Sequence, residues 1–448
     1  MKQSFKVALT AGVATLAGVA FAAEQKLVED YAKVPMPPGV QVVVTEHEGP
    51  VFTDASGKTL YVWPQQAMRS GFSGDPKDKS ACEDKPTLKT AGMMSPYPPG
   101  LDLPELDKRL SCAATWPPLF AADDAKPVGA WTIVTRSDGK KQWAYDHHAV
   151  YTSILDKTPG EVNAGTSARR GGGDTPAERE PIGPPPNVPP GFNVLTTVRG
   201  RMVVNEKRYS VYTYDKDGPN KSNCTGPCAN TWQPVLAPAS AQPQGEWAVI
   251  ERSPGVRQWT FRKKPIYTFT EDQSPASQGG SDMPGWHNVY TQFAPKPPAE
   301  FTQQVTYAGD VLADKNGKTI YFYTCGDDSQ DQMSCDTPES PQVYRIAIAG
   351  GGNWDRALKM WPYVTAPANA KSTNKVWSVM DIDPKTGRRA TAGQPGSVHV
   401  WAYRDRPLYT YAGDKAPGDM EGNATGEWQG RRNGFRAFYI RDEFGRGG

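Results

Sequence analysis

The residues of this chain best suited to chemistry are a closely spaced cysteine pair and two adjacent histidines. Cys224 and Cys228 are separated by three residues, as are the cysteines of some copper chaperones, and thiolates suit copper(I). His147 and His148 would offer two imidazole nitrogens to a metal. The simpler interpretation is a small disulfide ring and two solvent-facing histidines, and we favour it because no equivalent cysteine pair or histidine recurs along the chain. We therefore predict no cofactor, with copper as the alternative.

A second candidate site is a platform of tryptophans that recur at matching places. Aromatic faces bind sugars and other flat or apolar groups. The alternative is that these rings build the cores, because aromatic residues favour half-buried strand surfaces. The six residues are Trp116, Trp143, Trp232, Trp259, Trp361 and Trp401.

The common sequence signatures of catalysis are missing from the chain. It has no Gly-x-Ser-x-Gly elbow, no His-Glu-x-x-His pair and no haem-binding Cys-x-x-Cys-His. We therefore assign no catalytic residue and predict a protein that binds rather than one that catalyses.

The amino terminus and the cysteines indicate an exported protein. Residues 1–22 combine a basic start, an apolar stretch and small residues before Ala23, which is typical of a signal peptide. No cysteine follows to carry a lipid anchor, and no later stretch is long and apolar enough to span a membrane. We expect the periplasm or the extracellular space, where disulfides persist. The expected disulfides are Cys82–Cys112, Cys224–Cys228 and Cys325–Cys335.

The charge balance argues against nucleic acid as a partner. Lys and Arg number 50 against 48 Asp and Glu, and removal of the signal peptide would take away two of the lysines. A chain without net positive charge or a basic block lacks the electrostatic footprint of a nucleic-acid-binding protein. The expected partner is an envelope protein or a small ligand.

Three copies of one fifteen-residue frame organise the chain. The copies are Gly49–Trp63, Gly200–Tyr214 and Gly309–Tyr323. Each has a short apolar run, a polar turn and a tyrosine at its thirteenth position, and alternation of apolar and polar residues indicates strands. The repetition predicts an all-β fold, with three homologous modules of short antiparallel strands in tandem.

The boundaries between the modules are marked by proline and glycine. We place the modules at 39–165, 192–291 and 301–441, with a Pro/Gly linker at 166–191. Each module contains two half-units that end in a tyrosine-bearing strand, so six half-units closing into a propeller-like ring are the alternative. The long linker argues against that ring, because blades are usually joined by short turns. Function is expected in the parts that differ between copies, at 65–110 and 324–360.

Several motifs resemble a bacterial family, the secreted repeat of unknown function, which is also described as predicted lipoproteins with a Tyr-x-aromatic-x-x-Asp pattern. That pattern is met by Tyr267–Asp272 and Tyr409–Asp414, whereas Tyr151–Asp156 has Ser153 at the aromatic place. The resemblance covers the three modules and implies an exported β-rich repeat protein without an established catalytic residue. Its most specific segments are Gly57–Tyr61, Cys112–Leu119, Lys141–Tyr145 and Leu408–Asp419.

These observations together predict a non-catalytic exported β-repeat protein that acts as a binding or scaffold module. The alternative is a periplasmic accessory protein that handles copper or redox equivalents.

Overall fold

The chain forms three small β modules that follow one another in sequence. The computed structural model describes residues 28–68, 71–85, 110–164, 179–306, 308–324, 338–339, 345, 349–391, 393–423 and 434–442. The predicted signal peptide and the predicted Cys325–Cys335 disulfide lie outside these residues. Within them the structure is built mainly of antiparallel strands, so the all-β prediction is confirmed.

The first module is arranged around the tyrosine strand of its repeated frame. That strand, β3, lies in a sheet ordered β6-β7-β8-β3-β9, while β1 pairs with β2 and β4 with β5. The elements are β1 (Gln41–Thr45), β2 (Gly49–Thr53), β3 (Tyr61–Val62), β4 (Gln66–Met68), β5 (Gly71–Ser73), α1 (Cys112–Thr115), β6 (Trp131–Thr135), β7 (Lys141–Tyr145), β8 (His148–Tyr151) and β9 (Glu180–Pro181).

The second module repeats this plan, and its first hairpin gains a third strand, β19. Its sheets are ordered β10-β11-β19, β13-β17-β12-β18 and β14-β15-β16. The elements are β10 (Phe192–Thr197), β11 (Gly200–Asn205), β12 (Tyr212–Tyr214), α2 (Pro227–Thr231), β13 (Trp232–Pro234), β14 (Trp247–Ser253), β15 (Val256–Phe261), β16 (Lys264–Pro265), β17 (Tyr267–Phe269), a 3-10 helix (Gly279–Asp282), β18 (Trp286–Asn288) and β19 (Tyr290–Phe293).

The third module has the same strand pairing and one longer helix. Its sheets are ordered β20-β21-β27 and β23-β24-β25-β22-β26. The elements are β20 (Thr302–Thr306), β21 (Gly309–Ala313), β22 (Tyr321–Thr324), α3 (Trp354–Met360), β23 (Trp377–Ile382), β24 (Val398–Tyr403), β25 (Arg406–Tyr409), β26 (Gly434–Ala437) and β27 (Tyr439–Asp442).

The two halves of every module share a sheet, so the alternative of six half-units in a propeller-like ring is wrong. In each module the tyrosine of the repeated frame pairs directly with the tyrosine that ends the second half. A propeller blade is a sheet of its own, whereas here the two half-units are hydrogen-bonded strands of one sheet. The paired residues are Tyr61 with Tyr151, Tyr212 with Tyr267, and Tyr321 with Tyr409.

One apolar residue near the end of each module bridges the two segments on either side of the polar turn of the repeated frame. In the second module, Val203 N donates to Val289 O at 2.9 Å, and Val289 N donates to Val211 O at 3.0 Å. In the first module Ile182 makes the same bridge, and in the third Phe438 does so. Ile182 lies in the segment predicted as a linker, so the described second half of that segment supplies a closing strand to the first module.

The polar turn of each repeated frame is held by its first residue. Asp54 Oδ1 accepts hydrogen bonds from the backbone N–H of Ser56 at 2.8 Å and of Lys58 at 3.0 Å. Asp314 and Asn205 accept the same pair of bonds in the other modules. Such side-chain acceptors stabilise tight turns, which explains why Asp or Asn recurs at this place.

Candidate functional site

Each module contains one hydrogen bond between a tyrosine of its first half and an aspartate of its second half, which is buried in the first and third modules and part-buried in the second. The hydroxyl donates to a carboxylate oxygen at 2.7–2.8 Å in all three modules. The tyrosine is the thirteenth residue of the repeated frame, and the aspartate ends the Tyr-x-aromatic-x-x-Asp pattern. The two recurring motifs therefore meet in one structural contact. The pairs are Tyr61 with Asp156, Tyr212 with Asp272, and Tyr321 with Asp414.

The carboxyl of this pair is enclosed and both its oxygens are engaged. Asp156 is 1% exposed, and its Oδ1 accepts from Asn163 N at 2.8 Å while Oδ2 accepts from Tyr61. Burial raises the pKa of Asp156 to about 7, even though these two hydrogen bonds lower it. Burial raises the pKa of Asp414 in the third module as well. A carboxyl closed off in this way is suited to holding the module together rather than to meeting a substrate.

The six tryptophans predicted as a ligand platform lie in the module cores. Their exposed fractions are between 1% and 6%. Trp116, Trp232 and Trp361 each pack edge-on against the motif tyrosine, with ring centroids 5.3–5.7 Å apart. Trp232 also stacks on Phe269 and Trp286. In this conformation the six rings therefore contact protein and offer no open face to a ligand.

A second buried network joins the loop before the first cysteine to the sheet. Tyr151 Oη lies 2.9 Å from Ser80 Oγ, and Arg136 donates both to Ser80 Oγ at 3.1 Å and to the carbonyl oxygen of Cys82 at 2.8 Å. Asp75 Oδ1 accepts from Ala81 N at 2.7 Å. The spacing Asp-x4-Ser-x-Cys, at 75–82 and again at 217–224, is the sequence signal of this network. The second module builds the same network from Tyr267, Ser222, Arg252, Cys224 and Asp217.

Two of the three predicted disulfides are confirmed. Cys82 is bonded to Cys112, and Cys224 to Cys228. The Cys224–Cys228 bond closes the loop before Trp232, as the simpler interpretation held. Because both sulfurs are in the bond, they are not available as thiolate ligands for copper in this state.

The two adjacent histidines point to different surroundings. His147 Nδ1 lies 2.8 Å from Asp78 Oδ1 on the surface, and His147 occupies a turn with a φ of 68°. His148 is half-buried at the start of β8, and burial lowers its pKa. Among the described residues, no group of three or more histidine, cysteine, aspartate or glutamate side chains has the arrangement of a metal site.

The three modules meet at a buried polar group, which we call the junction and define as His47, Glu48, Arg404 and the backbone carbonyl of Thr197. His47 Nε2 donates to Thr197 O at 2.8 Å, and Arg404 Nη2 donates to Glu48 Oε1 at 2.5 Å and to His47 Nδ1. Burial, and then the charge of Arg404, lower the pKa of His47. The junction therefore links a turn of each module through a neutral imidazole and a paired carboxylate.

An open cavity lies between the second and third modules, and we call it the 2–3 cleft. Its volume is about 810 Å³. One wall is the connection between the modules, which is fixed by a hydrogen bond from Trp377 Nε1 to Pro295 O at 3.2 Å. The apolar lining includes Val198, Phe293, Pro295, Pro297, Phe301, Leu312, Trp377 and Ile440.

The polar side of the 2–3 cleft carries a chain of charged groups. Arg199 Nη2 lies 4.0 Å from Asp310 Oδ2, and Asp310 also accepts from Gln303 Nε2 at 2.7 Å. Arg441 Nε is 3.6 Å from the same oxygen, and its Nη1 contacts Asp282 Oδ1. The cleft therefore combines an apolar body with a few fixed polar groups, which is typical of ligand sites. Sequence reasoning missed it, because its walls come from segments far apart in the chain.

Three segments of the chain match the sequence profile of a family described as a secreted repeat of unknown function. The matched residues are 132–168, 193–236 and 395–430, which places one match in each module and confirms three copies of the repeat. The matches fall in the second half of the first and third modules and in the first half of the second. Searches of the curated proteins and of the solved structures found no significant match.

The family description and the disulfides agree on the compartment. A secreted family and the two disulfides fit an exported protein. Among the described residues, no helix has both the length and the apolar character needed to cross a membrane.

Proposed function

We propose that this protein is a non-catalytic exported binding protein, in which three repeats form a scaffold and the 2–3 cleft holds a partner or a small ligand. The observation that carries this proposal is the cleft itself. Its volume lies within the roughly 300–1,000 Å³ that is usual for ligand pockets, and junctions between domains are preferred places for such sites. The proposed location is the periplasm or the extracellular space.

The use of the recurring residues inside the modules supports this assignment. The motif tyrosines, aspartates and tryptophans pack against one another in the cores. A site built from them would have to open a core, whereas the 2–3 cleft is already open. Binding is therefore proposed at a place created by the assembly of modules.

The proposal includes no bound metal. Its support is the Cys224–Cys228 disulfide, which engages the two sulfurs that a copper-handling protein of this type would use. Metal analysis of protein purified without chelators tests this part separately. Copper at one equivalent per chain would contradict it.

A capture experiment with matched variants tests the proposal. Immobilised protein is exposed to native envelope extract and to its small-molecule fraction, and the retained material is identified by mass spectrometry. Ala299 is exposed and lines the cleft, so Ala299→Trp should obstruct it. Ala239→Trp places the same side chain at an exposed position outside the cleft lining.

The expected result is retention of a specific ligand or partner by the unaltered protein and by Ala239→Trp, with loss in Ala299→Trp. Retention that does not depend on the cleft, or no specific retention at all, would contradict the proposed function.

A further inference from the structure

We propose that the 2–3 cleft selects a small amphipathic anion, with an apolar body and one acidic group. This inference rests on the proposed function and adds the chemical class of the ligand. The apolar body would lie against Phe293, Phe301 and the prolines of the connection, and the acidic group would meet Arg199.

The apolar part of the cleft is preformed. Phe301 packs edge-on against Trp377 and Trp401, with ring centroids 6.0 and 5.8 Å apart. Phe293 is 48% exposed and packs against Tyr290 at 5.1 Å. An exposed aromatic side chain beside a fixed aromatic wall provides a surface on which an apolar ligand gains by leaving water.

Arg199 lines the cleft, as does Lys296 of the connection, and the planar guanidinium of Arg199 matches a carboxylate or sulfonate better than an ammonium does. The side chain of Arg199 is 31% exposed and lines the cleft. Its carbonyl oxygen accepts a hydrogen bond from Ala294 N at 2.9 Å, which holds the backbone of Arg199 against the first residue of the connection. Its carboxylate neighbour, Asp310, is 4.0 Å away, lies nearer to Arg441 and accepts a hydrogen bond from Gln303. The guanidinium also lies beside the Tyr290 hydroxyl, and its 4.0 Å contact with a carboxylate that Arg441 shares leaves it suited to a charge-assisted bond with a ligand.

Two dyes that differ in a single group provide the test. Anilinonaphthalene sulfonate is an amphipathic anion, and phenylnaphthylamine has the same rings without the sulfonate. Both are titrated into the native full-length protein and followed by fluorescence. A charge-assisted hydrogen bond should make the sulfonate bind about tenfold more tightly than the amine.

Four variants assign the effect to the cleft. Arg199→Gln should remove the tenfold preference and leave the affinity for the amine unchanged, while Arg199→Lys should keep part of the preference. Ala299→Trp should abolish the binding of both dyes. Arg257→Gln removes an arginine outside the cleft and should change neither affinity. Near-ultraviolet circular dichroism confirms that each variant retains native packing.

Equal affinities of the two dyes would overturn the inference, as would a preference that persists in Arg199→Gln or dye binding that survives in Ala299→Trp. If captured material from native extract still depends on the cleft in any of these cases, only the ligand class is wrong and the proposed function stands. If that capture also fails, both are wrong.

Discussion

Replacing Arg404 with methionine should destabilise the whole protein, because this arginine ties the third module to the first. Its guanidinium is 3% exposed and donates to Glu48, whose side chain is 4% exposed. Arg404→Met leaves the carboxylate buried without its cationic partner. Loss of one partner from a buried ion pair costs about 3–5 kcal/mol, so we expect the free energy of unfolding to fall by about that amount.

Urea denaturation followed by tryptophan fluorescence measures this loss. Adding Glu48→Gln to Arg404→Met should recover part of it, because no buried charge then remains unpaired. The control is Lys140→Met, which removes a cation that is 65% exposed and lies 4.0 Å from Asp138, with an expected change of at most about 1 kcal/mol.

Arg404→Met should destabilise the protein more than Lys140→Met does, and equal losses would contradict the role given to the junction. A double variant less stable than Arg404→Met alone would contradict it as well. The first result would show that the junction contributes little to the assembly of the modules. The second would show that the carboxylate does not depend on its arginine.

Three further predictions concern acid, the repeated hydrogen bond and the disulfides. The pKa of His47 is lowered from 6.5 in the folded protein, so its contribution to stability is full above about pH 6.5 and is lost as the pH falls below that value. The urea midpoint of His47→Gln should therefore change less over this pH range than the midpoint of the unaltered protein. Parallel curves of midpoint against pH would contradict this. Tyr61→Phe removes one of the two hydrogen bonds to the buried Asp156 and should lower the free energy of unfolding by about 1–3 kcal/mol in urea denaturation. An unchanged midpoint would show that the pair is dispensable. Removing the Cys82–Cys112 disulfide should lower the free energy of unfolding by about 4 kcal/mol and removing Cys224–Cys228 by about 2 kcal/mol, because a longer closed loop restricts the unfolded chain more and the sequence separations are 30 and 4. Paired serine variants measure both losses, and equal losses would argue against this entropic explanation.

Local patterns in the sequence predicted the plan of each module. Three elements of the module depend mainly on neighbouring residues: the turn at Asp54, the alternating strand before it and the tyrosine strand after it. Repetition of the same residue pattern was therefore enough to place them. The pairing of Cys224 with Cys228 was also readable, because only three residues separate the two cysteines and an exported protein favours disulfides.

Contacts between distant segments were not readable from one sequence. The closing strand around Ile182 lies in the segment predicted as a linker, because prolines surround it in the sequence. Its hydrogen-bond partners, Phe52 and Leu60, come far earlier in the chain, so no local pattern marks it as a strand. The sequence did not single out Arg404, because the same turn position holds Asp146 in the first module and Arg262 in the second, and Arg262 pairs with Glu246 near the surface. The 2–3 cleft depends on how whole modules pack, which no local motif encodes.

Hydrogen exchange measured by mass spectrometry tests the central claim, that the 2–3 cleft is the binding site. The protein is compared with and without the material that it retains from native extract. Slower exchange in β19, the connection at 294–300 and β20, with little change around β1 and β2, is the predicted result. Protection at the outer loops of the modules with an unchanged cleft would contradict the claim.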